Sequence, residues 1–246
     1  PDIFDPRPIV VGADAHRFLL AQDLAEVGVA ADILLEPVAR NTCAAITAGC
    51  LQALARDPEA VVLVLAADHF IPHTEAFVGA VKAGTWDAEL GFLVTFGVRP
   101  DRPATGYGYI APSANQYGHS LEVASFIEKP DPEAAARYVA EGYLWNSGNF
   151  LFQAKTFLNE VAKLAPGVHA AVTAAFRVAV PDLDFLRLGR LAYAQSPAIS
   201  VDYAVMERTN RAAVLPCDVG WSDVGSWSAV RTLSNPDSDG NVIRGQ

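Results

Sequence analysis

The sequence predicts a three-layer α/β/α protein on a mostly parallel, twisted sheet with some mixed strands. Short apolar runs of strand length alternate with longer segments of helical periodicity through residues 8–97. The run AVVLVLA at 60–66 is apolar without a break, as parallel strands buried on both faces are. The length of 246 residues suits one large core, so residues 1–246 are taken as a single domain.

Residues 8–12 read as the first strand, and 15–27 as a helix with Phe18, Leu19, Leu24 and Val27 at helical spacing. A strand at 33–35 and an Ala-rich helix at 41–55 repeat the unit, the helix opened by Asn41 and Thr42, both good N-cap types. The strand at 60–66 leads to Asp68 and His69. In open α/β sheets the carboxyl ends of strands face the ligand crevice, so this polar pair is a candidate for chemistry. A helix at 74–83 and a strand at 91–97 follow.

Beyond Thr105 the alternation changes. Residues 106–110 and 121–127 read as strands separated by a turn-rich segment at 112–120, and there the sheet turns mixed. Helices are expected at 132–141 and 156–164, a strand at 150–152, a short helix at 201–208, and extended chain at 211–216 and 219–221. The longest irregular stretch is 178–197.

Apolar residues make up 51% and charged residues 19%, the proportions of an ordinary globular chain, so a packed core is expected. A net charge of −10 argues against sequence-independent nucleic-acid binding, which needs clustered Lys and Arg. Phosphate must therefore be met locally, by a few basic side chains, backbone amides or a metal ion held on carboxylates. Cys43, Cys50 and Cys217 are widely spaced with no CxxC pair, so neither a disulfide framework nor a zinc site is expected. No apolar run approaches the roughly 20 residues of a membrane span. The first residues carry no basic-then-apolar signal, which points to a soluble, cytoplasmic protein.

Four segments could carry chemistry. Asp68 is either a loop cap or a Mg²⁺-binding carboxylate at the crevice. FIEKP at 126–130 is either a surface strand end or a site in which Glu128 accepts from sugar hydroxyls and Lys129 meets a phosphate. WNSGN at 145–149 is either a tight turn or a carboxamide site, since Asn146 offers a donor and an acceptor at once. GWSDVGSW at 220–227 is either a plain surface loop or a site in which two Trp and two Gly crowd Asp223, the natural partner of Asp68 for clamping one Mg²⁺ against phosphates.

Read in order, EPVARNT at 36–42, AADH at 66–69, FGVRP at 96–100, TGYGYI at 105–110, FIEKP, WNSGNF, SVDYAVME at 200–207 and GWSDVGSW resemble the bacterial mannose-1-phosphate guanylyltransferases, a branch of the sugar-nucleotide pyrophosphorylases. The resemblance runs from about residue 8 onward and implies a Rossmann-like nucleotidyltransferase fold making GDP-mannose from GTP and mannose 1-phosphate. It implies Mg²⁺ on Asp68 and Asp223, with Lys129 on the sugar phosphate. Gly106, Tyr107, Glu128, Asn146 and Asp202 would line the mannose pocket, and Arg40, Asn41 and Thr42 would lie toward the nucleotide. Neither nucleic acid nor membrane is an implied partner, and a homodimer is compatible with it. The family's first strand and the glycine-rich GGxGxRLWP-like segment that follows it have no counterpart in residues 1–246, so the domain is expected to be N-terminally truncated and this chain alone to be catalytically crippled. No isomerase activity is expected. The competing readings are a glucose-1-phosphate nucleotidylyltransferase using UTP or dTTP, and a non-catalytic sugar-nucleotide binding module.

Overall fold

The computed structural model describes residues 3–234, together with 237, 241 and 242. Ten strands are described: β1 (Ile9–Ala13), β2 (Asp32–Glu36), β3 (Val61–Val64), β4 (Leu93–Val98), β5 (Gly108–Tyr117), β6 (Ser120–Glu128), β7 (Leu144–Gln153), β8 (Val180–Asp182), β9 (Phe185–Arg187) and β10 (Ala212–Cys217). Between them run α1 (Arg17–Glu26), α2 (Asn41–Arg56), α3 (Thr74–Glu89), α4 (Pro132–Ala140), α5 (Ala154–Leu164), α6 (Pro166–Arg177) and α7 (Arg190–Tyr193), with α8 (Trp227–Thr232) after β10.

The α/β class is as the sequence predicts, but the strands form two sheets rather than one. The smaller has the order β1-β2-β9-β8 and the larger β3-β7-β4-β10-β6-β5. In the smaller sheet β1, β2 and β9 run parallel and β8 is reversed. In the larger, β3, β4, β5 and β10 share one direction while β6 and β7 oppose it, so most strands agree although many neighbours are antiparallel.

Alternation along the central strands builds two cores. Phe150, Phe152 and Val214 point to one side, where Cys43, Ala44, Ala48 and Ala53 of α2 pack with Phe157 and Val161 of α5 and Val168 and Val172 of α6. Leu151, Ala213 and Leu215 point to the other, against Phe77, Val81 and Ala88 of α3. Burying each such Phe or Leu contributes about 1.5–3 kcal/mol, so packing of helices on both faces of the larger sheet favours the three-layer arrangement. Among the described residues no helix is long and apolar enough to cross a membrane.

Several boundaries move for local physical reasons. The expected turn at 112–120 shrinks to Gly118 and His119, because β5 and β6 continue as one hairpin. Asp87, fully buried at the end of α3, holds that turn by accepting from the amides of His119 and Ser120 and from Ser120 Oγ at 2.7 Å. The expected short strand at 150–152 starts at Leu144, so WNSGN lies inside β7 rather than in a turn. The irregular stretch at 178–197 contains the β8–β9 hairpin and α7. Asn41 does not cap α2: it has φ +62°, and its Oδ1 accepts from the next amide, Thr42 N, at 2.8 Å.

β1 and β3 each end a sheet, with one side unpaired. Both line one cavity of about 970 Å³ that runs between α2 and α3.

Candidate functional site

The chain leaves β3 through a turn that carries Asp68 and His69, and the segment after β10 comes back to meet it. Phe70 N donates to Ser222 O at 2.8 Å and Ser222 N to Phe70 O at 3.0 Å. This two-bond bridge brings Asp68 and Asp223 to the same imidazole, since His69 feels both charges. Trp221 Nε1 donates to His69 Nδ1 at 3.1 Å, which fixes the ring and its neutral tautomer. Burial lowers the His69 pKa and outweighs the two carboxylates that oppose the shift.

Tyr107 OH donates to Asp223 Oδ1 at 2.8 Å, and its ring packs edge-on against Trp145 and Trp221. Burial, then the bond to Asp223, pushes the phenol up to about 12, so Tyr107 stays protonated and remains a donor. Val224 has φ +51°, unusual for a β-branched residue, so the loop holding Asp223 is a strained one.

A second constellation forms where β6 ends beside β7. Glu128 closes β6, and Lys129 follows at φ +51° with its Nζ 3.5 Å from Glu128 Oε1. Asn146 Nδ2 donates to Asp202 Oδ1 at 2.9 Å, while Asn146 Oδ1 accepts from Thr95 Oγ1 at 3.0 Å and from Gly148 N at 3.1 Å. The carboxamide is thereby locked in one orientation. Gly108 sits opposite Glu128 in the β5–β6 ladder, and a Cβ there would lie 2.4 Å from Glu128 Oε2 and 3.3 Å from Asn146 Cβ. Only glycine leaves this carboxylate room.

Three acids share this corner. Burial, then the Asp202 charge, pushes Glu128 up to about 7, with Lys129 opposing. Asp202 is raised by burial against its bond from Asn146. Glu207 is raised by burial too, although the main-chain amide of Glu128 donates to it. A carboxyl whose folded pKa lies above its ordinary value keeps a proton that the unfolded chain releases, so its stabilisation is full below about pH 4.5 and is lost as pH rises through 7. Glu128→Gln is therefore expected to flatten the fall of Tm across that window and to gain about 1–3 kcal/mol at pH 8. Thermal unfolding of both proteins from pH 5 to pH 8 tests it, and parallel curves would rule it out.

The remaining candidates fall in different places. Arg40 is occupied, its Nε and one terminal nitrogen donating to Ala194 O at 3.2 and 2.6 Å. Thr42 Oγ1 accepts from Val201 N at 2.9 Å, which joins the start of α2 to the segment carrying Asp202. Thr42, His69 and Asp202 line the same large cavity. Gly106 has no atom within 4 Å of where a Cβ would stand, so space does not require glycine there.

Among the described residues no group of three or more His, Cys, Asp or Glu side chains could hold a metal ion. A pair of carboxylates suits Mg²⁺, which keeps several waters and takes its other ligands from substrate phosphates, so Asp68 and Asp223 fit that ion and not a closed all-protein cage. Reading the sequence missed Gly108, Thr95 and Glu207 and gave His69 no role of its own, because these residues act through neighbours distant in the chain. It also missed Arg102, whose guanidinium lies 5.2 Å from the Trp145 ring centroid.

The Nucleotidyl transferase family matches residues 6–239. The mannose-1-phosphate guanylyltransferase ManC of Salmonella typhimurium is 47% identical over 247 residues, covering 97% of this chain and 51% of that protein. The mannose-1-phosphate guanylyltransferase of Escherichia coli K12 is 46% identical over 246 residues, covering 97% and 52%. The chain thus spans about half the length of the curated relatives it matches. Among solved structures, a Thermus thermophilus protein described as mannose-1-phosphate geranyltransferase superposes with a TM-score of 0.80 at 33% identity, over 92% of this chain and 63% of that one. With a match over nearly all of its residues, and a fold shared with a relative of one-third identity, the chain belongs to the nucleotidyl transferase family.

Proposed function

We propose that residues 1–246 form one nucleotidyltransferase domain of a cytoplasmic mannose-1-phosphate guanylyltransferase, which forms GDP-mannose and pyrophosphate from GTP and mannose 1-phosphate. The observation that carries this reading is the convergence of Glu128, Lys129, Asn146 and Asp202, one cation among hydroxyl-binding groups, joined through Tyr107 to Asp223. The names of the curated relatives supply the base and the sugar.

In this reading the locked Asn146 amide and the Glu128 and Asp202 carboxylates orient the mannose hydroxyls, each accepting or donating in a fixed direction. Lys129 neutralises the sugar phosphate as a point charge. A phosphate oxygen of mannose 1-phosphate then attacks the α-phosphorus of GTP in line and expels pyrophosphate. Two anions repel each other, so alignment and charge neutralisation supply most of the acceleration. Mg²⁺ held by Asp68 and Asp223 would contribute charge neutralisation at phosphate oxygens.

Pyrophosphate release by the full-length polypeptide, measured with GTP and mannose 1-phosphate and again with UTP or dTTP and glucose 1-phosphate, tests the assignment. Activity is expected with the first pair, and preference for the second would overturn it. Lys129→Ala is expected to raise KM for mannose 1-phosphate roughly 10–100-fold with little change for GTP. An effect confined to GTP would contradict the role given to Lys129.

A further inference from the structure

The loop between β4 and β5 carries an arginine, Arg102, to which the proposed reaction gives no role. Pro100 and Pro103 lie close on either side of it and fix two φ angles of the loop. Ala104 N donates to Arg102 O at 3.0 Å, and the hydroxyl of Tyr109, a fully buried residue, donates to Ala104 O at 2.9 Å. The backbone that bears Arg102 is thus tied to the larger sheet, while its side chain stays exposed.

Two aromatic rings hold the guanidinium. Its carbon lies 5.2 Å from the Trp145 ring centroid and 5.9 Å from that of Tyr107, within the range in which a π face attracts a cation. Trp145 is buried, and among the described residues its Nε1 has no hydrogen-bond partner, so packing alone holds the indole in place. Stacking occupies the face of a guanidinium and leaves its N–H edge for an anion. Along that edge the contacts are weak. One terminal nitrogen is 2.8 Å from Asp101, an exposed neighbour in sequence, and the other is 3.4 Å from Tyr107 OH. An exposed ion pair contributes little, and a guanidinium has five N–H donors, so a bidentate ligand still finds room.

Position identifies that ligand. Tyr107 OH donates to Asp223 Oδ1 at 2.8 Å and its main-chain oxygen accepts from Lys129 N at 3.2 Å, so Arg102 stands at the Asp223 end of a residue whose backbone meets Lys129. In the proposed reaction the sugar phosphate lies between Lys129 and the ion held by Asp68 and Asp223. A phosphate monoester carries a charge of about −2 at pH 7. Lys129 Nζ is already 3.5 Å from Glu128 Oε1, so one partly offset ammonium does not balance a dianion. We propose that Arg102 is the second cation for the sugar phosphate, gripping it with two N–H groups while Lys129 meets it as a point charge. The proposal rests on the nucleotidyltransferase reading and adds a substrate-binding residue to it. The Tyr107 and Trp145 rings act as the positioning groups that aim the fork.

Steady-state kinetics of the full-length polypeptide with Mg²⁺, run in both directions, test it. Arg102→Ala is expected to raise KM for mannose 1-phosphate at least about tenfold, and to leave KM for GTP, and for pyrophosphate in reverse, within about twofold. Arg102→Lys keeps the charge without the fork and is expected to stay at least about threefold above the parent. Millimolar guanidinium added to Arg102→Ala is expected to lower the raised KM at least about threefold, and equal sodium is expected to leave it unchanged. A residue that only shaped the loop would not respond. Asp101→Asn removes the exposed ion pair alone and is expected to leave both KM values within about twofold. Unfolding midpoints within about 2 °C of the parent check that the variants fold. A parent inactive with GTP and mannose 1-phosphate would overturn the nucleotidyltransferase reading, and this proposal with it. With an active parent, the role of Arg102 alone falls if KM for mannose 1-phosphate is unmoved, if the increase is confined to GTP or pyrophosphate, or if guanidinium gives no relief.

Discussion

Asp223→Asn is expected to lower turnover of the full-length enzyme at least about 100-fold while leaving the fold almost untouched. The two effects separate because of what the carboxylate does locally. Oδ1 accepts from Tyr107 OH at 2.8 Å and from Gly225 N at 3.2 Å, and an Asn Oδ1 can accept both. The loop therefore keeps its hydrogen bonds. What is lost is the negative charge, and a hard divalent cation binds an amide oxygen far less well than a carboxylate. Titration of Mn²⁺ by electron paramagnetic resonance gives a readout free of catalysis, and weaker binding by about tenfold or more is expected. Full turnover at saturating Mg²⁺ would remove Asp223 from the metal site.

Gly108→Ala is expected to raise KM for mannose 1-phosphate more than about tenfold and to cost about 1–3 kcal/mol of stability. Gly108 lies in an ordinary strand and is absent from the positive-φ residues, so alanine meets no backbone penalty there. The effect comes from collision. The new methyl would stand 2.4 Å from Glu128 Oε2 and must move a carboxylate whose neighbours, Asn146 and Asp202, are themselves fixed by hydrogen bonds. Gly106→Ala is the control, expected within about 0.5 kcal/mol of the parent because nothing lies within 4 Å. Steady-state kinetics and urea unfolding on the two variants decide the matter, and equal behaviour would show that the Gly108 contact is unimportant.

The parts of the site legible in the sequence are those with a local signature. Glu128 and Lys129 follow an apolar run, and Asp68 follows another, so strand-end placement could be read from the pattern alone. WNSGN could not be placed that way. A polar run with a glycine reads as a turn, yet Asn146, Ser147 and Asn149 are buried in β7, and the groups that receive Asn146 are Thr95 and Asp202, distant in sequence. Gly108 escaped for a related reason: its requirement is set by a carboxylate across the ladder, and no periodicity records a cross-strand neighbour. The division into two sheets was illegible because strand pairing is decided by tertiary context rather than by the propensity of each run. The pairing of Asp68 with Asp223 was read from chemistry alone, and the Phe70–Ser222 bridge joins the two segments that carry them.

Tyr107 touches both constellations at once. Its phenol holds Asp223, and its main-chain oxygen accepts from Lys129 N at 3.2 Å, so under the proposed function one residue would be shared between the cation side and the sugar-phosphate side. Any occupant that shifts Tyr107 on one side alters the position of a charged group on the other. Under the proposed function, linkage would then run in both directions with the same factor: whatever multiple a divalent ion applied to sugar-phosphate affinity, the sugar phosphate would return to the ion.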